Sequence, residues 1–390
     1  MVGGEAKETR KNGKQTLFQL EKALFQLTKL GLSGSLMLRF RPMKYRTLPG
    51  SEQKISEVGF GLWTVSTGWW GNFTDEEAVR LMRLAADLGI TLFDAADTYG
   101  NGRSEELIAR AFPGSERSRI VIATKVGYDF VHHGEERRGQ REIPQDFSPE
   151  AVRIAVENAL HRLQTDHIDI LQLHNIREEQ VADDALWEVM EDLRAEGKFR
   201  HGGIALGPAI GWLGEGAAAI SRRKPEVVQH IYNLLEQYPG APLHKTAEIT
   251  GAPTKFLIRV PHSSGMLEGK YTADTVFPPN DHRNHRPRSW LLNGIRKVEQ
   301  LRFLESEQRT LAQAAIQWLL HDPRTLSVLP NIYGEEQIHD FAAAPDTPSL
   351  TEDEMQKIAL LVASDFGLEP EPAKYKGTME LPAELSAVLA

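Results

Sequence analysis

No cysteine occurs among the 390 residues. That excludes disulfides, a thiolate nucleophile and cysteine-ligated zinc, and it suits a reducing compartment such as the cytoplasm. Missing too is any apolar run near the ~20 residues that cross a bilayer, so no integral membrane segment is expected. Positive charge is not in excess. Lys and Arg number 45 against 54 Asp and Glu, a formal net charge of -9, which argues against nucleic acid as a partner. No Gly-x-Gly-x-x-Gly follows an early strand, so the mark of an open dinucleotide-binding sheet is absent. The partner left by these exclusions is a small molecule, and nothing here sets an oligomeric state.

What is present is ordinary for a large globular core: 41% hydrophobic and 25% charged residues. Residues 1–42 stand apart as an N-terminal extension, with eight Lys or Arg against three Glu. Leu17, Phe18, Leu20, Leu24, Phe25 and Leu27 could line one helix face there. An optional or disordered extension is the plain reading, and an organelle-targeting or membrane-surface helix stays open beside it. A hairpin arm starts at Met43. The main unit is expected over 43–365, followed by a charged, Pro-rich tail over 366–390.

Within the main unit, short apolar runs recur at 58–62, 92–94, 120–124, 168–173, 199–205, 227–231, 256–260 and 326–329. Helical spacing lies between most of them. In 76–88, Val79, Leu81, Met82, Leu84, Ala85 and Leu88 keep the helical period, and Ser148-Pro149 reads as a cap and first turn. Strands alternating with helices imply a parallel sheet, and eight of them predict a single closed (β/α)8 barrel. Such barrels run from ~200 to over 400 residues as one unit.

In that fold, reactive groups sit at the carboxyl ends of strands. The second run ends at Asp94, followed closely by Tyr99. The third ends at Lys125 and the fourth at His174. Hydride addition to a carbonyl leaves negative charge on oxygen, which needs a proton donor and an oriented dipole. A phenol has a reference pKa of about 10, and an adjacent ammonium favours its ionised form. Lys125 could supply that ammonium, Asp94 its counter-charge, and His174 a hydrogen bond to the carbonyl oxygen. Singly, each has a plain reading: a strand-end cap, a packing tyrosine, a snorkelling lysine, a structural histidine.

Together these residues resemble the aldo-keto reductase family from about residue 43 to about 362. The likeness rests on Phe-Asp-x-Ala-x-x-Tyr-Gly at 93–100, Thr-Lys at 124–125 and Gln-Leu-His at 172–174. It continues through Gly265-Met266-Leu267-x-Gly269-Lys270-Tyr271 and the run 311–320. The resemblance implies a reductase of a small carbonyl compound, with the tetrad Asp94, Tyr99, Lys125 and His174 and with Tyr99 as proton donor. A dinucleotide-binding regulatory subunit of the same fold is the alternative. It implies a nicotinamide dinucleotide across the barrel mouth, NADP(H) by family habit, with NAD(H) open. Matching cofactor positions are Trp63, Asn175, Gln229, Arg259, Pro261, Ser263, Ser264, Gly265, Lys270 and Gln337. No metal is implied.

Two departures stand out. The Ser-Asn that often grips the carboxamide is missing from Gly203-Ile204-Ala205-Leu206-Gly207, leaving that grip to Gln229 or Asn175, and Arg259 stands where an aromatic often stacks on nicotinamide. Arg259 is expected to reach toward pyrophosphate or a substrate carboxylate. Trp69, Trp70 and Phe73 either line a substrate pocket or pack their loop. The loop 126–148 reads as a substrate lid, and 272–289 as an arginine clamp on phosphate or a solvated loop.

Overall fold

The computed structural model describes residues 43–134, 142–279, 281–369 and 374–389. The helix and targeting readings of residues 1–42 therefore lie outside the described residues. A hairpin opens the main unit: β1 (Tyr45–Thr47) pairs antiparallel with β2 (Lys54–Ser56). Eight strands follow: β3 (Phe60–Gly61), β4 (Leu92–Asp94), β5 (Val121–Val126), β6 (Ile168–His174), β7 (Phe199–Ala205), β8 (Val227–Ile231), β9 (Lys255–Arg259) and β10 (Thr325–Leu329). All are parallel, and each pairs with its sequence neighbour. The ring closes where Val58 bridges Val328 and the Gly59 amide donates to the Val328 carbonyl at 2.8 Å. Any side chain there would push its neighbours aside, because a Cβ on Gly59 would lie 2.8 Å from Leu329 and 2.9 Å from Leu92. The expected (β/α)8 barrel is the fold.

The predicted strands and helices fall within a few residues of the observed ones. The helix Asp75–Asp87 starts on a capping box built from Thr74 and Glu77. Helix Pro149–Leu163 starts with Ser148 accepting from the Ala151 amide. Thr310 and Thr351 open two more helices in the same way as Thr74. Each such cap contributes about 1 kcal/mol. The first barrel strand is shorter than its apolar run, because residues 62–66 turn at once into the helix Trp63–Ser66.

Two apolar layers hold the barrel. Leu92, Val121, Ala123, Ile170, Val227, Leu257 and Leu326 fill its interior, with Leu48 and Ile55 of the hairpin segment plugging one end. The opposite faces of the strands pack on the helices. Because the interior is filled, chemistry is confined to the open carboxyl end. Among the described residues, no helix is long and apolar enough to cross a membrane.

The tail is described over 366–369 and 374–389. Lys376 and Thr378 bond the backbone of 210–214, just after β7, and the helix Ala383–Leu389 follows.

Candidate active site

Parallel strands end at one face, so β4, β5 and β6 deliver Asp94, Lys125 and His174 side by side. Lys125 is fully buried. Its ammonium donates to both Asp94 carboxylate oxygens at 2.9 and 2.8 Å and to the Ala95 carbonyl at 2.7 Å. All three protons are thereby placed, which is what lets a charged lysine stay inside a barrel. The same ammonium sits 4.8 Å from the centre of the Tyr99 ring. The Tyr99 and His174 rings meet edge-on at 6.0 Å. Phenol, ammonium, carboxylate and imidazole therefore share one pocket.

Around them opens a cleft of about 620 Å³. Trp63, Trp69, Asn175, Arg259 and Ser264 line it with the tetrad members Asp94, Tyr99 and His174. Gln229 lies just beneath, donating to Asp94 at 2.8 Å while its own carbonyl oxygen has no partner. Asn175 donates to the Tyr128 hydroxyl at 2.8 Å, and its carbonyl oxygen is also unpartnered.

Arg259 does more than point into the cleft. Its guanidinium reaches across to donate to the Leu206 carbonyl, and its Nε has no partner. Gly207, at φ 155°, makes room for this. A Cβ there would come within 2.7 Å of the guanidinium and 3.0 Å of the Asn175 oxygen. Thus Arg259 and Asn175 stand together where the Ser-Asn pair is missing.

The turn after β9 carries positive φ at Val260, Ser263, Ser264 and Gly265. Val260 is β-branched, so that conformation is strained. The Ser263 and Gly265 amides are used inside the turn, by the Val260 carbonyl and the His262 ring at 3.0 Å each. Of the predicted turn residues, Ser264 lines the cleft; Pro261, Ser263 and Gly265 shape the turn behind it. Lys270 and Gln337 are not among the lining residues. Lys270 is exposed and paired with Glu336 at 2.7 Å, which draws its pKa up. Gln337 is buried.

Both predicted loops reach the cleft. Glu142 and Ile143 line it from one side, and His282, His285 and Arg286 from another; 135–141 lie outside the described residues. Arg283 fastens the second loop. It pairs with Asp281 at 2.6 Å, bonds the Tyr271 hydroxyl at 2.7 Å and lies 4.3 Å from the Trp70 ring. Burial pushes the Asp281 carboxyl up, but the guanidinium of Arg283 outweighs it and leaves the pKa below the usual range. The His282 amide donates to Trp69 at 2.8 Å, so this loop bridges to the loop after β3. Trp69 and Trp70 thus both line the cleft and pack the loop, while Phe73 packs on the core.

Sequence reasoning missed several neighbours. Tyr128 is buried against His174, ring centres 5.1 Å apart; burial, then the Glu142 carboxylate, pushes its hydroxyl pKa far up. Asp97, three residues past Asp94, is buried, and burial and then Glu105 hold its carboxyl well above the usual range. Trp212, Lys374 and Lys376 also line the cleft. Tyr128 and Asp97 lie inside stretches already singled out, whereas nothing local marks the tail lysines.

The sequence profile of the Aldo/keto reductase family matches residues 57–363. The chain belongs to that family. Among its relatives is the aldo-keto reductase YhdN of Bacillus subtilis, 30% identical over 72% of this chain and 82% of that protein. A probable voltage-gated potassium channel subunit beta of Oryza sativa is also 30% identical, over 83% of this chain and 97% of its own. The solved holo form of an aldo-keto reductase from Bacillus halodurans superposes with a TM-score of 0.66. It is 26% identical, covering 86% of this chain and 98% of that one. The family is one of oxidoreductases.

Proposed function

We propose that this protein reduces an aldehyde or ketone to an alcohol, with Tyr99 giving the proton. The observation that carries the reading is the fully buried Lys125 ammonium, held by Asp94 and set 4.8 Å from the Tyr99 ring at the floor of the cleft. The carbonyl oxygen would lie between Tyr99 and His174. As that oxygen gains charge, the Tyr99 hydroxyl protonates it, and the neighbouring ammonium stabilises the phenolate left behind. Asp94 orients the Lys125 ammonium by accepting two of its hydrogen bonds.

The residues fit a nicotinamide dinucleotide. Two buried carbonyl oxygens without partners, on Asn175 and Gln229, suit the donors of a carboxamide. Arg259 and Arg286 line the cleft and suit phosphate. When bound, the dinucleotide supplies the hydride that becomes the new C–H bond. NADP(H) is favoured by family habit alone. Against it, the segment 330–337 brings Glu335 and Glu336 and no cation, so NAD(H) belongs in the same trial.

Likeness to the channel subunit favours a second reading, a dinucleotide-binding subunit with little turnover. The complete tetrad weighs against it. A fluorescence titration with NADH and NADPH, then a panel of carbonyl compounds, separates the two. Binding with oxidation of the reduced cofactor supports the reductase. Binding without any turnover supports the subunit, and no binding defeats both.

A further inference from the structure

Residues 374–376 run beside the loop after β7, bridged at Lys376 to Gly211, and the chain bends at Gly377 with φ 69°. The Lys376 amide donates to Ile210 at 3.0 Å, the Trp212 amide donates to Lys376 at 2.8 Å, and the Gly214 amide to Thr378 at 2.8 Å. The Thr378 amide bonds both oxygens of buried Glu215, at 3.0 and 3.2 Å. Glycines allow this closeness: a Cβ on Gly211 would stand 2.1 Å from the Lys376 carbonyl, and one on Gly377 2.3 Å from the Trp212 ring. The tail backbone is therefore fixed at the rim of the cleft.

Side chains alternate along an extended chain. Tyr375 turns one way and packs on Tyr238, ring centres 5.2 Å apart. Lys374 and Lys376 share the other side, and both line the cleft. Neither ammonium has a carboxylate partner among the described residues, although carboxylates are near. Glu142, on the same cleft wall, is taken by Arg177 at 2.8 Å, Glu236 lies 3.8 Å from Arg286 and also accepts from Asn233 at 2.9 Å, and Asp94 holds Lys125. Two like charges on a pinned backbone face a cleft whose lining carboxylates, among the described residues, each have another cationic partner. Trp69, Ile143, Ile210 and Trp212 give the same cleft an apolar wall.

We propose that the substrate is an oxyanion-bearing carbonyl compound, its carboxylate or phosphate held by Lys374 and Lys376 and its flat or apolar body against this wall. The inference rests on the reading of Tyr99 and His174 as the reacting end.

The test uses three aldehydes of one shape: 4-carboxybenzaldehyde, 4-formylphenyl phosphate and the neutral methyl 4-formylbenzoate. Binding to the full chain is measured by calorimetry, and reduction by cofactor oxidation. At least one anionic aldehyde should bind about tenfold tighter than the ester, a difference of about 1.4 kcal/mol. Which of the two does so identifies carboxylate or phosphate. The K374Q/K376Q variant should bring the anion down to the affinity of the ester. Salt raised from roughly 0.05 to 0.5 M should narrow the gap in the same direction. The proposal fails if the ester binds as tightly as both anions, or if the double variant keeps the preference. Lysine-dependent binding without reduction would uphold the anion site and sink the reductase reading. Reduction of all three with no lysine dependence would do the reverse.

Discussion

The two ends of the barrel each bury a carboxylate, and the contrast between them separates scaffold from site. Asp169 lies toward the amino end, 1% exposed. It accepts from Gln53 at 2.8 Å, Arg117 at 2.7 Å and the Ile122 amide at 2.9 Å. That cluster closes on itself. Asp94, at the carboxyl end and 4% exposed, is held as tightly by Lys125 and Gln229. Its surroundings do not close. Carbonyl oxygens of Gln172, Asn175 and Gln229 and the Nε of Arg259 are buried without partners. An unsatisfied buried polar atom costs about 1–3 kcal/mol. Thr325, at the amino end of β10, also carries an unpartnered hydroxyl, but at the carboxyl end such atoms on Asn175 and Arg259 belong to cleft-lining residues, where a bound group could satisfy them.

The largest effect should come from Tyr99→Phe. Losing the proton donor should cut the turnover number by about 10²–10⁴-fold. The melting temperature and the dinucleotide affinity should stay close to wild type. A fall in stability with no fall in rate would erase the contrast. At the other end, Asp169→Ala leaves Arg117 partly buried and unpaired. A loss of about 3–5 kcal/mol in chemical denaturation is expected, with turnover per folded molecule preserved.

How far these roles were readable in the sequence follows the same divide. The strand ends were legible because Asp94, Lys125 and His174 terminate apolar runs, and strand termini in a barrel share one face. Period and capping residues gave the helices, as with Thr74 and Ser148. Long-range closure was not legible. Arg259 looks outward in the sequence, yet it bonds Leu206, because Gly207 leaves a gap that only the folded loops reveal. The tail reads as charged and proline-rich. Its docking depends on Gly211, Gly214 and Gly377 meeting across about 160 positions, which no local period records. Lys270 and Gln337 were carried over by position in the family pattern, and the cleft does not include them.

A smaller effect sharpens the comparison at the cleft. Gln229→Leu removes a 2.8 Å bond to Asp94 and an unpartnered oxygen together. Stability should change by about 1 kcal/mol or less, since one loss offsets the other. Dinucleotide affinity should fall about tenfold, read by fluorescence titration, because a hydrogen bond to the carboxamide would go. Unchanged affinity would remove Gln229 from the cofactor site.

The smallest effect is in acid. Burial first, then Arg286 and His285, lowers the His282 pKa from 6.5 to about 4. The unfolded ring takes a proton near its ordinary value, while the folded ring resists until the lower one. Its contribution to stability is therefore intact above about pH 6.5. It drains at up to about 1.4 kcal/mol per pH unit as pH falls toward 4. Melting curves between about pH 7 and 5 should show a steeper decline in wild type than in His282→Gln. Parallel declines would mean that the ring titrates normally.

The central claim is that a phenol beside a buried, paired ammonium delivers a proton to a reducing carbonyl. Cofactor absorbance followed after adding an aldehyde tests it most directly, in wild type and in Tyr99→Phe, each first shown to bind the dinucleotide. The account predicts steady oxidation in wild type and almost none in the variant. Equal oxidation in both, or none in either, would contradict it.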